Sequence, residues 1–546
     1  MTVVQEYLKI DLECKEKYGN KTFLLYQVGS FFEVYALESK QHTMKNIRIF
    51  GEICGLKVEK KKQIVENQEV YMAGFRDYLV ESYVEKIHPY GYSVVVYVQE
   101  DSPKDPKVKI RTLYGVYSPG TTFLENDTHL SNNISCIWIQ KMTTLNKEAY
   151  IFGLSNINIY DGTSFLCEYY ENYYHNPTTY DCIEKFLHVY NPIEIVFVYN
   201  IDDSKMNSII KFLNVNCKKK YMINLNNNEQ TFTKQAINCQ NQVYQDEIIN
   251  TYFPNINLEI FKYNISDKPI SLQSYCFLIN FVQQHNISLV EKIQEPTIEN
   301  IQKILICANH SLKQLNFIKN VQEENTSSIY DEDENKNKID CVLSILNQCV
   351  TKMGKRYLNQ LLLNPICDID ELNKRYDLID HIMKKGYTFN ENLNYLKDID
   401  KMLTKIKLHK LTPNDIFHFY QSSITFDKIY DKIKKDKKLC KEFDVKKIIE
   451  NHDKFQKYIT TTFNLDKAEY ITTINLDKYF EHTCELFQPG NFPDYDEQVK
   501  NKLESMNKLD AILDFIETCF TKKSKDTNNT YIKQHQPSGS ELCLIL

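Results

Sequence analysis

The stretch that decides the reading is LLYQVGSFFEVYALES, Leu24 to Ser39. An apolar, strand-like run is broken by Gly29 and Ser30, and two adjacent phenylalanines are then followed at once by a glutamate. On a β-strand successive side chains face opposite ways, so Phe31 and Glu33 share one face while Phe32 and Val34 share the other. One face is then free to be core and the other to serve a second purpose.

Composition bounds that purpose. A chain of 546 residues is too long for one ordinary domain. Its 42% hydrophobic and 25% charged content is that of a soluble globular protein. The net charge of -6 excludes a polyelectrolyte-like nucleic-acid binder. Residues 1–125 hold 17 Lys plus Arg and 17 Asp plus Glu, so even the segment around the opening stretch is balanced. Any nucleic-acid contact has to come from shape and placement. No run of 18 apolar residues exists, and the acidic N-terminal segment (Glu6, Asp11, Glu13, Glu16) is unlike a targeting peptide, so the expectation is a soluble, intracellular protein with no membrane partner. The 16 cysteines form no C-x-x-C and the 13 histidines no H-x(3-5)-H, so no metal site is expected and the thiols should be reduced.

Along the chain, residues 3–19 read as an amphipathic helix with Val4, Leu8 and Leu12 on one side, ended by Gly19-Asn20. Strand signals follow in TFLLYQV, FFEVYAL, YSVVVYVQ and TLYGVYS, with FRDYLVESYVEKIHPYG between them reading as helix. This predicts a mixed α+β domain closing near SPGTTFLEND. A second, α/β unit starts around Asn133: EAYIFGLSNINIY and TSFLCEYY flank the turn signal Asp161-Gly162, then TTYDCIEKFLHVY reads as helix and IEIVFVY as a buried strand. From about Ser271 the pattern becomes long helices. CVLSILNQCVTKMGKRYLNQLLL carries Val342, Ile345, Leu346, Cys349, Val350, Met353, Leu358, Leu361 and Leu362 at three- and four-residue steps. The acidic QEENTSSIYDEDENKNK has no periodicity and reads as a solvated insertion. FQPGNFP breaks the helical pattern, and the chain stops on ELCLIL, an apolar strand whose edge a half-made sheet would leave open.

Two readings of Phe31 and Glu33 fit the residues. In the plainer one both phenylalanines are core and Glu33 sits at the solvent edge. In the other, the Phe31 ring is a wedge: an aromatic ring pushed between base steps unstacks and kinks a duplex, at least cost where pairing is already defective. Stacking on a base returns about 1 to 3 kcal/mol. A carboxylate on the same side is a poor phosphate partner and makes sense only if it hydrogen-bonds a base edge, which would make it a sensor of mispairing.

YLKIDLECKEKYGNKTFLLYQVGSFFEVY resembles the opening of the mismatch-binding domain of the MutS mismatch-repair family, whose usual pattern ends in G-D-F-Y-E. Gly29, Phe31 and Glu33 match; Ser30 and Phe32 depart from the common Asp and Tyr. YMAGFRDYLVESYVEKIHPYGYSVVVYVQE resembles the family's M-A-G-[IF] segment and following strand, through Met72, Ala73, Gly74, Phe75, Gly91, Val94 and Gln99. VYSPGTTFLE resembles the segment closing that domain. HSLKQLNFI and TKMGKRYLNQLLLNPICDIDELNKRYDLIDHI are similar to the lever-domain signature, with Met353, Gly354, Arg356, Leu358, Pro365, Ile366, Asp368, Ile369 and Arg375 in register.

The resemblance implies a multidomain α/β and α protein: a mismatch-binding domain at 1–127, an RNase H-like connector at 128–268, a helical lever at 269–497, and the start of an incomplete clamp at 498–546. It implies that Phe31 intercalates beside a mispaired base and Glu33 bonds to that base, with Gly29, Met72, Gly74 and Phe75 in support. Lys522, Lys523, Lys525 and Lys533 fall where a clamp could touch phosphates. The implied partner is double-stranded DNA with mismatches or small loops. VGSFFEVY, with an excess of Lys, Asn, Ile and Tyr of the kind an AT-rich genome gives, is similar to the giant-virus and octocoral-mitochondrial branch.

Complete family members carry an ATPase with a G-x-x-x-x-G-K-[ST] phosphate loop. Among the 14 glycines here only Gly115 and Gly120 have that spacing, and Thr121-Thr122 follow without a lysine. The expectation is a DNA-binding piece that ends inside the clamp and is no enzyme by itself, with no cofactor in this chain and ATP and Mg²⁺ belonging to complete members. Self-association, or pairing with a chain that bears the ATPase, is expected. Three alternatives stay open: a split protein with its motor on another polypeptide, a non-catalytic scaffold or inhibitory paralogue, and a nuclease. The nuclease is disfavoured because Asp161 and Asp181 have no companion acids on neighbouring strands.

Overall fold

The run from Thr22 folds as expected of two strand-forming segments separated by a two-residue break. β1 (Thr22–Val28) and β2 (Phe31–Leu37) pair antiparallel with Val28 opposite Phe31, which leaves only Gly29 and Ser30 in the turn. Gly29 has φ +61, the sign that primed hairpin turns need at their first central position. A computed structural model describes residues 2–38, 41–65, 68–101, 109–121, 132–144, 147–172, 177–215, 217–227, 231–298, 305, 310–317, 341–407, 411–471, 486–521, 533–535 and 543–545. They form two units, Met1–Lys410 and Leu411–Leu546.

The first sheet has the order β3-β4-β2-β1-β5-β6, with β3 Glu59–Val65, β4 Gln68–Arg76, β5 Ser93–Asp101 and β6 Lys109–Tyr117. Only β1 and β5 pair in parallel. Helix α1 (Val3–Tyr18) opens with a capping box between Thr2 and Gln5 and ends at Gly19. Its buried stripe is Val4, Tyr7, Leu8, Asp11, Cys14 and Tyr18, whereas Leu12, expected on the inner side, is 58% exposed. The stripe follows Tyr7, whose ring meets Tyr26 and Tyr35 edge-on at 5.9 and 5.2 Å. Asp11 is tolerated inside because Lys15 pairs with it at 2.5 Å. Helices α2 (Gln41–Cys54) and α3 (Val80–Ile87) cover the other face: Phe50 packs on Phe23, and Tyr83 stacks on Phe75 at 4.0 Å. The segment expected to be helical from Phe75 starts two residues later, because Phe75 and Arg76 complete β4.

The second sheet, β11-β10-β7-β8-β9-β12, holds β7 Asn133–Thr144, β8 Lys147–Asn158, β9 Ser164–Asn172, β10 Glu194–Tyr199, β11 Lys219–Asn224 and β12 Thr297–Ile298. β7, β8 and β9 are an antiparallel meander whose second turn contains Asp161-Gly162. β10 runs parallel to both β7 and β11 and is buried at every position, as a strand covered on both faces must be. α4 (Asp181–Tyr190) and α5 (Asp203–Leu213) pack Ile183, Phe186, Met206 and Ile209 among Tyr150, Phe152 and Phe197. Beyond β11 come α6 (Thr231–Asn238), α7 (Gln242–Tyr252), α8 (Leu258–Ile265) and α9 (Pro269–His285). The chain continues to serve this sheet past residue 268, since α9 lies across β7 and β8. Gly153 permits the approach: a Cβ there would stand 2.3 Å from the Ile270 carbonyl oxygen.

The two sheets share one continuous apolar core. At their junction Glu194, fully buried, accepts a hydrogen bond from Ser118 Oγ at 2.8 Å, and Lys219, its register partner, donates to Ser93 Oγ at 2.6 Å. Burial pushes the Glu194 carboxyl up and the Lys219 ammonium down, and each partially restores the charge of the other.

The long helix expected over CVLSILNQCVTKMGKRYLNQLLL is two helices, Val342–Leu346 and Lys352–Leu363. Thr351 accepts the Gly354 N–H at 3.0 Å and caps the second, and a Cβ at Gly354 would lie 2.8 Å from that hydroxyl. Arg356 then grips Asp398 through two bonds of 2.6 and 2.8 Å and Asp400 through one of 2.8 Å. Beyond these, Thr404 donates to the Tyr160 carbonyl of the second sheet's turn region, and the Lys401 ammonium sits 5.1 Å from the centre of the Tyr160 ring. In the second unit the helices Pro413–Ile433 and Val445–Thr462 pack together, Pro493 starts the helix Pro493–Thr521, and Lys533–His535 pairs antiparallel with Cys543–Ile545. The acidic insertion expected at QEENTSSIYDEDENKNK lies outside the described residues.

Two outcomes test this packing. Burial lowers His285, held between Phe281 and Tyr18, from 6.5 to about 3. Between those values the unfolded chain binds a proton that the folded chain does not, so stability falls as pH drops through the window. His285→Phe should therefore lose about 2 kcal/mol less than the parent on going from pH 6.5 to 5, read from denaturant midpoints, and an equal loss would contradict the packing. Gly153→Ala should cost about 1 to 3 kcal/mol in the same assay, because backbone faces backbone at that contact, and a neutral result would contradict the close approach of α9.

Candidate functional site

The face of β2 that begins with Phe31 is graded. Tyr35 is buried under Tyr7 of α1, Glu33 is half-buried, and Phe31, nearest the turn, is 41% exposed. The opposite face is closed, with Phe32 4% exposed and 6.1 Å from Phe75. Helix α1 thus covers the sheet as far as Tyr35 and leaves the hairpin tip bare. The arrangement differs from two buried phenylalanines with Glu33 at the solvent edge. Here the ring is the exposed group, and the carboxylate side chain is 13% exposed.

The tip is tied down from both sides. The Gly29 N–H donates to Gln99 Oε1 of β5 at 3.3 Å, and the Ser30 carbonyl accepts from Asp77 N–H at 3.0 Å. Gln27 Oε1 accepts from Gln99 N–H at 2.9 Å, and its amide reaches Asp77 at 3.4 Å. Arg111 of β6 donates to the Gln27 carbonyl at 3.0 Å and to Gln99 at 3.4 Å. Three strands, β1, β5 and β6, and Asp77 just past β4 therefore fix where Phe31 stands.

Glu33 is placed by three neighbours. Its register partner on β4 is Gly74, where a Cβ would lie 2.7 Å from the Phe32 carbonyl oxygen and 3.3 Å from Glu33 Cγ. Tyr35 donates its hydroxyl to the carboxylate, and Lys61 of β3 lies 3.2 Å from that carboxylate and 3.2 Å from the Tyr35 hydroxyl. Burial first, then the adjacent Glu33, pushes the Tyr35 hydroxyl well up, so it stays a donor. The Arg76 guanidinium lies 4.9 Å over the Phe31 ring, its register partner, and makes no ion pair among the described residues. The Phe-x-Glu pair is thus bracketed by two cations.

Of the residues singled out in the sequence, Gly29, Phe31, Glu33, Gly74 and Phe75 come together at this tip, and Met72 stands one step inward opposite Tyr35. Lys522, Lys523 and Lys525 lie outside the described residues, and Lys533 is described only through its backbone pairing with Ile545. Asp161 spends its carboxylate on its own turn, accepting from Thr163 N–H at 2.8 Å and Asn158 at 2.9 Å, and burial raises it. Among the described residues no group of three His, Cys, Asp or Glu is placed to hold a metal.

Sequence reasoning misses Arg76, Lys61 and Asp77. Arg76 is hidden because its segment reads as helix, whereas it is the last residue of β4 and stands opposite Phe31. Lys61 sits in EKKK, which reads as a solvated charge run and carries no sign of its partner.

Residues 4–126 match the family model for MutS domain I, and residues 310–530 that for MutS domain III. A putative DNA mismatch repair protein mutS homolog of Acanthamoeba polyphaga mimivirus is 25% identical over 99% of this chain and 48% of its own length. DNA mismatch repair protein MutS of Caldanaerobacter subterraneus is 25% identical over 81% of this chain and 45% of its own, and that of Fusobacterium nucleatum 25% over 73% and 38%. The chain spans about half, or less, of the length of these relatives. With both ends of the chain matched by domains of one family, and the exposed Phe31 and adjoining Glu33 inside the first of them, the chain belongs to the MutS family.

Proposed function

We propose that this chain binds double-stranded DNA at mispaired bases or small loops, as the reading part of DNA mismatch repair. Phe31 enters between base steps and Glu33 hydrogen-bonds the mispaired base. The observation that carries this reading is the pairing of an exposed ring with a half-buried carboxylate on a hairpin tip held by β4, β5 and β6. A ring already fixed outside the core loses little further freedom on insertion, so the cost of opening the base step is met by stacking. Mispaired steps deform cheaply, which makes discrimination a matter of deformation energy, while backbone contacts supply affinity.

The parallel β10 between β7 and β11, attached to the meander β7-β8-β9, supports assigning the second sheet as the RNase H-like connector. The helical region beyond β12 is then the lever, with α9 staying on the sheet it covers, and 498–546 the start of the clamp, with Lys522, Lys523, Lys525 and Lys533 as candidate phosphate contacts. ATP hydrolysis, which the family resemblance implies for complete members, needs a phosphate loop that these 546 residues do not contain. We assign it to a further segment or a partner chain, with self-association bringing two wedge domains to one duplex. No described helix is long and apolar enough to cross a membrane.

The test compares the parent and Phe31→Ala for binding to a G·T duplex and to the matched duplex of the same sequence. Losing a stacking contact of about 1 to 3 kcal/mol should reduce the preference for G·T by about tenfold while affinity for matched DNA is kept. An unchanged preference would defeat the wedge assignment.

A further inference from the structure

A carboxylate brought against a duplex meets a dense line of negative charge, and like-charge juxtaposition is unfavourable unless something neutralises it. At this tip the neutralising group is already in place. Lys61 crosses from the edge strand β3 over β4 to Glu33 at 3.2 Å, and its ammonium also caps the Tyr35 hydroxyl at 3.2 Å and lies 4.8 Å from the centre of the Tyr35 ring. The lysine is held by three contacts to two residues, which is more than a surface pair needs. Gly74 sits in the strand it crosses, and any side chain at that position would crowd Glu33 Cγ. The other lysine of the run with a described side chain, Lys60, pairs instead with Glu69 on the neighbouring strand, so the run is split between two partners.

Resting on the mismatch-binding reading above, we propose that Lys61 is a positioning residue for mismatch recognition. It neutralises and aims Glu33 so that an acidic side chain can face the bases, and it acts through Glu33 rather than by touching phosphate. With Lys61 gone, the carboxylate keeps, among the described residues, only the Tyr35 hydroxyl and confronts the duplex as an uncompensated charge. With both charges gone, the conflict disappears.

The test is a double-mutant cycle in DNA binding with Lys61→Met, Glu33→Gln and the double variant, each measured on G·T and matched duplexes, beside Phe31→Ala. Lys61→Met should weaken binding to both duplexes by about threefold or more, and adding Glu33→Gln should recover most of that loss, a coupling of the size expected for residues in contact. Thermal melting of each variant reports folding, which a partly exposed ion pair should leave intact. Additive effects, or a Lys61→Met loss that Glu33→Gln does not recover, would make Lys61 an ordinary phosphate contact and overturn the proposal while leaving the wedge untouched. If Phe31→Ala keeps its preference for G·T, the wedge reading fails instead. Absence of DNA binding by the parent chain would overturn both.

Discussion

The period of a single strand governs the candidate site. β2 has seven residues, and its alternation sends Phe32 and Val34 into the core with Phe75 while Phe31, Glu33 and Tyr35 rise on the other side. A slip of one residue would bury Phe31 and expose the core, so the register has to be held firmly. It is held by the two-residue turn at Gly29-Ser30, by direct pairing of β2 with β4 along its whole length, and by the bonds from Gln99 and Asp77 to the turn itself. α1 then decides how much of the rising face is covered. Tyr7 reaches Tyr35, and Phe31 at the tip stays exposed.

Polar groups inside the first unit form a chain of attachments from this sheet to the helices beyond the second one. Glu194 and Lys219 join the ends of β10 and β11 to Ser118 and Ser93 of the first sheet. On the far side of the second sheet, the Tyr160 region receives Thr404 and Lys401, from the helix Ile399–Lys407 that stands next to the Arg356 ion-pair cluster. Buried charges are costly unless paired, so Glu194 and Lys219 constrain orientation more than they add stability. The proposed insertion of Phe31 calls for a stiff mount, and the shared apolar core with these polar pins supplies one.

Much of this was legible in the residues. The strands β1 and β2, the turn at Asp161-Gly162, the fully buried β10 and the helix α4 follow from alternation, turn chemistry and an apolar run, all of which are local signals. The strands β3 and β4 were not, because EKKKQIV and QEVYMAGFR carry charges and a glycine that suit an edge and a close approach instead of a regular apolar pattern. Leu12 pointed outward for a similar reason: the buried stripe of α1 is chosen by what Tyr7 and Cys14 meet across the sheet, and periodicity alone admits a neighbouring stripe. At the site, Phe31 and Glu33 were visible as a pair, whereas Lys61 and Arg76 depend on strand pairing across nonadjacent segments.

Whether the Phe31 ring enters the base stack is the claim on which the proposed function stands. A duplex carrying 2-aminopurine next to a G·T mispair reports it, since that base brightens when its stacking is broken. Saturating parent protein should raise the fluorescence, and saturating Phe31→Ala should leave it near that of free DNA. An equal rise with both proteins would mean that the step is opened by something other than this ring, and would contradict the account.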